Sequence, residues 1–222
     1  MSRRTAALAL AIAGLFAAPA SALAALDVAV EPNEARYGDT HHAIGRLTDA
    51  AGAPLPDRRI ALEKRDYPFT GDFRPIGHAT TDADGRFAFD DVALSRNADL
   101  RVVAFDGTTS GIARAFTYPA FVLQYRPAGM NRIRVTQTYR TPRNVRLKAP
   151  TLFYLGSGTA ARSSLRVVTK TQRVSAGRFR ATARIHLPKS WKGRFKYASC
   201  FGYTQDSGMG DPARGCAKRF SF

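Results

Sequence analysis

Acidic side chains are almost absent from the second half of this 222-residue chain. Only two, Asp206 and Asp211, follow residue 106, although Lys and Arg continue to the end of the chain. Residues 25–118 hold 11 Lys or Arg and 15 Asp or Glu, a net charge of −4, whereas residues 119–222 hold 21 and 2, a net charge of +19. A general bias toward Arg would raise both halves, so the change in charge predicts two domains with a boundary after residue 118.

Long apolar runs are also missing, except near the start of the chain. There Arg3 and Arg4 precede an apolar run from Ala6 to Ala18, and small residues follow it. The run is shorter than the roughly 20 residues that span a membrane. The pattern is typical of a secretory signal peptide over residues 1–24, cut after Ala22 or Ala24, and it predicts a secreted or cell-envelope protein with no transmembrane segment in the mature chain.

Cysteine is scarce, since Cys200 and Cys216 are the only two. In the oxidising surroundings of an exported protein they most simply pair with each other and close a loop over residues 200–216. The chain-entropy model assigns such a closure roughly 3 kcal/mol. The loop offers too few ligands for a zinc site, and we expect its aspartates to accept local hydrogen bonds or to pair with neighbouring Arg.

Helical periodicity appears nowhere after the first 24 residues. Short β-rich runs instead alternate with Gly, Asp and Pro turns, and this spacing predicts an antiparallel β-sandwich of the immunoglobulin-like kind over residues 25–118. Its seven candidate strands are LDVAV, HAIGRL, RIALEKR, RPIGHATT, GRFAFDDV, DLRVVAF and GIARAFTY.

The segments YGDTHHAIGRLTDAAGAPLPDRRIALEKR and TTDADGRFAFDDV resemble the bacterial immunoglobulin-like and carboxypeptidase-regulatory-like modules. In those modules a G-x-P-L turn precedes one strand, and T-D-x-x-G-x-F-x-F forms a hairpin. The resemblance implies a β-sandwich that serves an exported protein as a noncatalytic spacer or binding unit. The chain departs from the pattern at Asp57, where the family often has Gly. The matching positions are Gly52, Pro54, Leu55, Thr81, Asp82, Gly85, Phe87 and Phe89.

The second half repeats strands with one apolar and one basic side. In RFRATARIHL, for example, Phe179 and Ile185 alternate with Arg180 and Arg184. About six or seven such strands predict a second β-sandwich over residues 119–222. Its basic sides should face water, because burying unpaired guanidinium groups is prohibitive and few carboxylates are at hand. The predicted basic surface comprises Arg132, Arg134, Arg140, Arg166, Lys170, Arg178, Arg180, Arg184, Arg194 and Lys196.

Patterns that mark catalysis or metal binding are missing as well. The four histidines form no H-E-x-x-H repeat, and no G-x-S-x-G motif marks a nucleophile. Asp82 and Asp84 resemble a fragment of a calcium loop, but Arg86 follows at once, and we expect a hairpin turn there. The Y-R-G-S tail of the transthyretin-like hydrolases, which share this architecture, is absent. We therefore expect no catalytic residue, metal or cofactor.

The basic surface indicates attraction to an anionic polymer outside the cytoplasm. The candidates are an anionic polysaccharide, teichoic acid, lipopolysaccharide and extracellular nucleic acid. Two alternatives stay open: a basic face that only keeps the domain soluble, and an adhesin-like or spacer protein held to a protein partner by sheet edges or by the first domain.

Overall fold

The computed structural model describes residues 24–148, 150–156, 164–189, 196–202, 207–210 and 216–217. The predicted signal peptide, up to residue 23, lies outside the described residues. Within them the chain forms seventeen β-strands and no α-helix. The predicted all-β class, with two consecutive sandwiches of antiparallel sheets, is confirmed.

The first sandwich is built from nine strands in two sheets. In the smaller sheet β4 pairs with β7 along one edge and with β1 and β2 along the other, while the larger sheet has the order β3-β9-β8-β5-β6. All pairs are antiparallel except β3 with β9, which is parallel. The strands are β1 (Ala25–Leu26), β2 (Ala29–Glu31), β3 (Glu34–Arg36), β4 (Thr40–Thr48), β5 (Arg59–Asp66), β6 (Arg74–Thr80), β7 (Arg86–Ala93), β8 (Ala98–Ala104) and β9 (Ala113–Tyr118).

The second sandwich consists of two four-stranded antiparallel sheets, with the orders β10-β11-β15-β14 and β13-β12-β16-β17. Only Pro119 separates its first strand from the last strand of the first sandwich. The strands are β10 (Ala120–Pro127), β11 (Arg132–Arg140), β12 (Thr151–Gly156), β13 (Ser164–Thr169), β14 (Gln172–Ser175), β15 (Arg178–His186), β16 (Lys196–Gly202) and β17 (Cys216–Ala217).

Each sandwich has its own apolar core, because alternate strand residues turn inward. Ile60, Leu62 and Leu100 are almost fully buried in the first core. Phe153 and Val135 are equally buried in the second. Strand β15 alternates between buried and exposed residues along its whole length, as its sequence predicts.

The predicted hairpin around Asp82 is wrong in one respect. A tight turn forms, in which Asp82 accepts hydrogen bonds from the backbone N–H groups of Asp84 and Arg86 at 2.9 and 2.8 Å, and Gly85 has a φ of 72°. However, strands β6 and β7 on either side belong to different sheets. The turn therefore joins the two layers of the sandwich, because each flanking strand finds its partner further away in the sequence.

Asp57 takes the backbone conformation that the family resemblance assigns to Gly. Its φ is 55°, in the left-handed region that non-glycine residues seldom adopt, although Asp and Asn tolerate it better than most. Its N–H donates to the carbonyl of Thr81 at 3.0 Å. The departure in sequence thus leaves the turn geometry in place.

A short segment of the Cys-bounded loop, 207–210, joins the two sandwiches. Asn97, at the start of β8, donates from its backbone to the carbonyl of Gly208 at 2.8 Å and from its side chain to that of Gly210 at 2.7 Å. Its side-chain oxygen accepts the N–H of Thr117 at 2.9 Å. Met209, between the two glycines, is fully buried in the second core. One segment therefore contacts the first sandwich through its backbone and the second through its side chain.

Gly208 is the position where this contact requires glycine. Its φ is 62°, and a Cβ there would lie 2.5 Å from Cδ1 of the Tyr67 ring. Both the backbone conformation and the close approach exclude a larger residue without local rearrangement. Tyr67 is fixed in turn, because its N–H donates to the carbonyl of Asn97 at 2.9 Å.

Candidate functional site

Six of the ten predicted basic residues lie on one outward face of the sheet β10-β11-β15-β14. All six are exposed, and the residues of β11 and β15 that alternate with this outward set are buried. Arg126 of β10 joins them, because it pairs with Arg134 in the register and points to the same side. We call this surface the arginine face. Its members are Arg126, Arg132, Arg134, Arg140, Arg178, Arg180 and Arg184.

The strand register arranges this face in rows across the sheet. In the first row Arg126, Arg134 and Arg184 are direct neighbours on three adjacent strands. Because neighbouring strands lie about 4.8 Å apart, three positive charges start from backbone positions within about 10 Å. Like charges directly opposite each other destabilise a sheet, so this row has a cost that a merely solvated surface does not require.

The two middle rows are mostly neutral. Gln124, Thr136 and Thr182 form the second row, and Thr136 and Thr182 lie within hydrogen-bond distance, with their hydroxyl oxygens 3.3 Å apart. In the third row Thr138 stands between Val122 and Arg180. We call Thr136, Thr138 and Thr182 the threonine floor.

The fourth row returns to positive charge, since Arg140 pairs with Arg178. It lies six residues along β11 from the first row, which is about 20 Å at roughly 3.4 Å per residue. The arginine face is therefore charged at both ends and polar but largely uncharged in between.

A shallow depression of about 600 Å³ follows the first three rows of this face. A second one of about 440 Å³ continues it toward the fourth row and shares Thr138 and Arg180 with the first. The two together give a path along the strand direction. The first depression is lined by Gln124, Arg126, Arg134, Thr136, Thr138, Arg180, Thr182 and Arg184.

The face is held by the core beneath it. Ile133 and Val135 of β11 are buried under the first two rows. Further along β11 the hydroxyl of Tyr139 forms a 2.6 Å hydrogen bond with that of Thr151, which contacts Thr171 at 2.9 Å. Burial raises the pKa of Tyr139, although the bond to Thr151 lowers it in part, so the hydroxyl stays protonated. These contacts fix β11 and thereby the arginines on its other side.

No described carboxylate lies within ion-pair distance of any member of the arginine face. The ion pairs of the described residues lie in the first sandwich, for example Asp99 with Arg65 at 3.0 Å and with Arg114 at 2.7 Å. The described part of the chain thus supplies no carboxylate counter-ion to the concentrated positive charge of the arginine face.

Two of the other four predicted residues are described as exposed but lie off the arginine face strands. Arg166 lies on β13 of the other sheet and faces the opposite side of the sandwich, and Lys170 lies in the short connection between β13 and β14. Lys196 begins β16 in that same sheet, and nothing is described of its side chain. Arg194 lies outside the described residues. Six of the ten residues therefore share one face and Arg166 lies on another, while their binding of a polyanion stays a prediction.

Sequence reasoning missed Arg126 and the floor between the charged rows. The signal for Arg126 is weak, because AFVLQYR on β10 begins with four apolar residues in succession, which hides the alternation of Val122, Gln124 and Arg126. The register that brings Arg126 beside Arg134 depends on a partner strand. Alternation with Ile133, Val135 and Tyr139 places Gln137 on the inner side of β11, where it is buried although its polar side chain does not favour burial.

The predicted disulfide stays a prediction. Strand β17 pairs with β16, which places Cys216 opposite Gly202, two residues from Cys200. Nothing is described of the two cysteine side chains, and Asp206 and Asp211 lie outside the described residues.

The described residues contain no group of three or more His, Cys, Asp or Glu placed to hold a metal ion. They also contain no helix with the length and hydropathy needed to cross a membrane.

Comparisons with known proteins find similarity of fold only. No protein family matches the chain, and no curated protein matches its sequence. Among solved structures, the chain is similar to native alpha-2-macroglobulin of E. coli (14% identity over 82% of this chain and 13% of that one, TM-score 0.34). It is similar to the Yersinia pseudotuberculosis adhesin InvE (12% identity, 89% and 58% coverage, TM-score 0.35). It is also similar to the FN1–FN3 domains of chicken CNTN1 (9% identity, 88% and 62% coverage, TM-score 0.28). The chain spans less than two thirds of each of these proteins, and TM-scores this low assign no function to it.

Proposed function

We propose that this protein is an exported, noncatalytic binding protein whose second sandwich associates with an anionic polymer of the cell envelope or the extracellular surroundings. The observation that carries the proposal is the row Arg126, Arg134 and Arg184. Three guanidinium groups on adjacent strands, with no described carboxylate beside them, form a surface that an anion stabilises. Binding should displace counter-ions and therefore weaken steeply with salt.

Basic residues that lie off the arginine face allow a control variant with the same change in net charge. The full-length mature chain is applied to phosphocellulose and eluted with a salt gradient. We expect retention above about 0.15 M salt, with the R134Q/R184Q double variant eluting clearly earlier. The R166Q/K170Q variant also removes two charges, one on β13 of the other sheet and one just beyond that strand, and should elute close to the parent.

The dissociation constant as a function of salt concentration gives the sharper result. Each lost contact should reduce the slope of log K against log salt by roughly 0.7 to 0.9, and we expect R134Q/R184Q to weaken binding about tenfold. If both double variants lose the same affinity, net charge alone accounts for retention and the arginine face is not a site. If the parent flows through at about 0.15 M salt, polymer binding is excluded.

A spacer or adhesin-like role that uses a protein partner is the second candidate. The observation that favours it is the hydrogen-bonded contact between the sandwiches at Asn97, which suits a protein that holds two parts in a fixed relation. Failure of the salt-dependent test, combined with loss of a partner after disruption of Asn97, would support it.

A further inference from the structure

The arginine face has a charge pattern along the strands that carries information about its ligand. Positive rows lie at both ends, about 20 Å apart, and the threonine floor with Gln124 lies between them. A polymer held by charge alone would be bound best by cations along the whole path. The two middle rows instead hold one cation, Arg180, and offer three hydroxyls and one amide, which both donate and accept hydrogen bonds.

The side chains of the middle rows are suited to a hydroxyl-bearing chain. Thr136 and Thr138 are partly exposed, and Thr182 is exposed beside them. The depression of about 600 Å³ brings these hydroxyls and the first-row arginines into one open site. Its shape and chemistry fit a ligand with hydroxyls and anionic groups on the same chain.

A nucleic acid fits the same path less well. Single-stranded nucleic acids are held by aromatic side chains on which bases stack, together with positive charge. None of the described residues in the four rows is aromatic. Phe121, Tyr139 and Phe179 contribute to the lining of the second depression, but none of them lines the first depression, where the threonine floor lies. Tyr125 pairs with the buried Val135, on the side away from the floor.

We propose that the ligand of the arginine face is an anionic polysaccharide bound along the strands. Its hydroxyls contact Thr136, Thr138 and Thr182, and its carboxylate or sulfate groups contact the arginines of the first and fourth rows. This inference rests on the proposed function and names the class of polymer.

The test uses the full-length mature chain and three probes of matched charge: an oligogalacturonate, a linear polyphosphate and a single-stranded deoxyoligonucleotide. Titration calorimetry measures each affinity for the parent and for T136V/T182V, which removes two hydroxyls while keeping side-chain shape and strand preference. The matched control is T80V, at an exposed strand position of the first sandwich.

We expect T136V/T182V to weaken oligogalacturonate binding about five- to tenfold, because two hydrogen bonds are lost. Polyphosphate binding should change less than about twofold, because polyphosphate uses the arginines alone. Affinity for oligogalacturonates should rise with chain length until the chain reaches about 20 Å, from the first row to the fourth.

Each of the other outcomes contradicts either the polysaccharide assignment alone or the proposed function as well. If oligogalacturonate and polyphosphate bind equally and T136V/T182V changes the affinity for neither, the arginine face binds anionic polymers without selecting polysaccharides. That result contradicts the polysaccharide assignment and leaves the proposed function in place. If the oligonucleotide binds more tightly than the oligogalacturonate, the polymer is a nucleic acid. If none of the three binds, the proposed function falls as well.

Discussion

In the first sandwich Asp99 lies buried between Arg65 and Arg114, and Phe69 and Phe73 cover the two guanidinium groups at 4.1 and 4.5 Å. In the second sandwich Arg134 faces Arg184 across two strands, with no described carboxylate nearby. Arginine therefore has a different role in each of the two halves. Paired and covered arginines stabilise the first sandwich, whereas unpaired arginines cost the second some stability and remain open to a ligand.

The largest expected effect on stability comes from removing the buried carboxylate that pairs with two arginines of the first sandwich. D99N leaves the guanidinium groups of Arg65 and Arg114 without their shared partner, and we expect it to lower the free energy of unfolding by about 3 kcal/mol. This value lies at the low end for a broken buried pair, because the two arginine side chains are 26% and 48% exposed and regain water.

Urea unfolding of the full-length mature chain measures this change. The matched control is D90N, because the Asp90 side chain is 74% exposed and its ion-pair partner among the described residues is His42. It should cost less than about 0.5 kcal/mol. Equal losses for D99N and D90N would contradict the distinction between buried and exposed pairs.

Substitution of Asn97 tests whether the contact between the two sandwiches couples their stabilities. N97A removes the side-chain hydrogen bonds to Gly210 and Thr117 and leaves two buried backbone groups without partners, so we expect a loss of about 2 kcal/mol. Amide hydrogen exchange, measured over a series of urea concentrations, should show both halves unfolding at lower urea concentration than in the parent.

Two further variants sharpen this result. G208A should cause a similar loss, through its positive φ and the approach of Tyr67. N144A, at an exposed turn position, should change stability by less than about 0.5 kcal/mol. Protection factors that fall in one sandwich alone would show that the contact does not couple the two.

The two halves should also differ in their response to pH. His41 is buried in the first sandwich and its Nδ1 lies 2.7 Å from the carbonyl of Pro32. Burial lowers the pKa of His41, the bond to Pro32 offsets this in part, and His42 lowers the pKa further. The unfolded chain, with a His pKa of about 6.5, therefore takes up the proton first as the pH falls.

The stabilisation from neutral His41 is complete above about pH 6.5 and is lost as the pH falls from there toward the lowered pKa. The slope from this one group is at most about 1.4 kcal/mol per pH unit. H41N keeps a donor for Pro32 and should lose this part of the dependence between pH 7.5 and 5.5, measured by urea unfolding. Parallel curves for parent and H41N would contradict it.

The smallest expected effect has the opposite sign. R134Q/R184Q removes two charges that face each other directly and should raise the free energy of unfolding by about 0.5 kcal/mol at low salt. The gain should shrink as added salt screens the repulsion in the parent. A destabilised variant would show that these arginines make favourable contacts within the protein.

The sequence predicts most of the fold because its strands alternate strictly. In β15 every second residue from Phe179 to Ile185 is buried, as the pattern indicates. The run LDVAV was predicted as one strand and forms two, β1 and β2, while β3, β10 and β14 were not predicted. Short and edge strands carry little periodicity, and their position is set by the strand they pair with.

Less of the candidate site follows from the sequence. Alternation assigns six arginines to an outward face, but the number of adjacent charges depends on register, which brings Arg126 beside Arg134. The same limit separates Arg166 from the face, since no local pattern tells which sheet a strand joins. The contact of Asn97 with Gly210 spans 113 residues and has no sequence signal.

The difference in net charge between the two halves affects how the protein is oriented when it approaches a charged polymer. With −4 in residues 25–118 and +19 in residues 119–222, the chain carries a large electric dipole moment. An approaching polyanion exerts a torque that turns the positive half toward it and the negative half away. Under the proposed function, productive collisions with the polymer should therefore exceed those of an evenly charged protein of the same size.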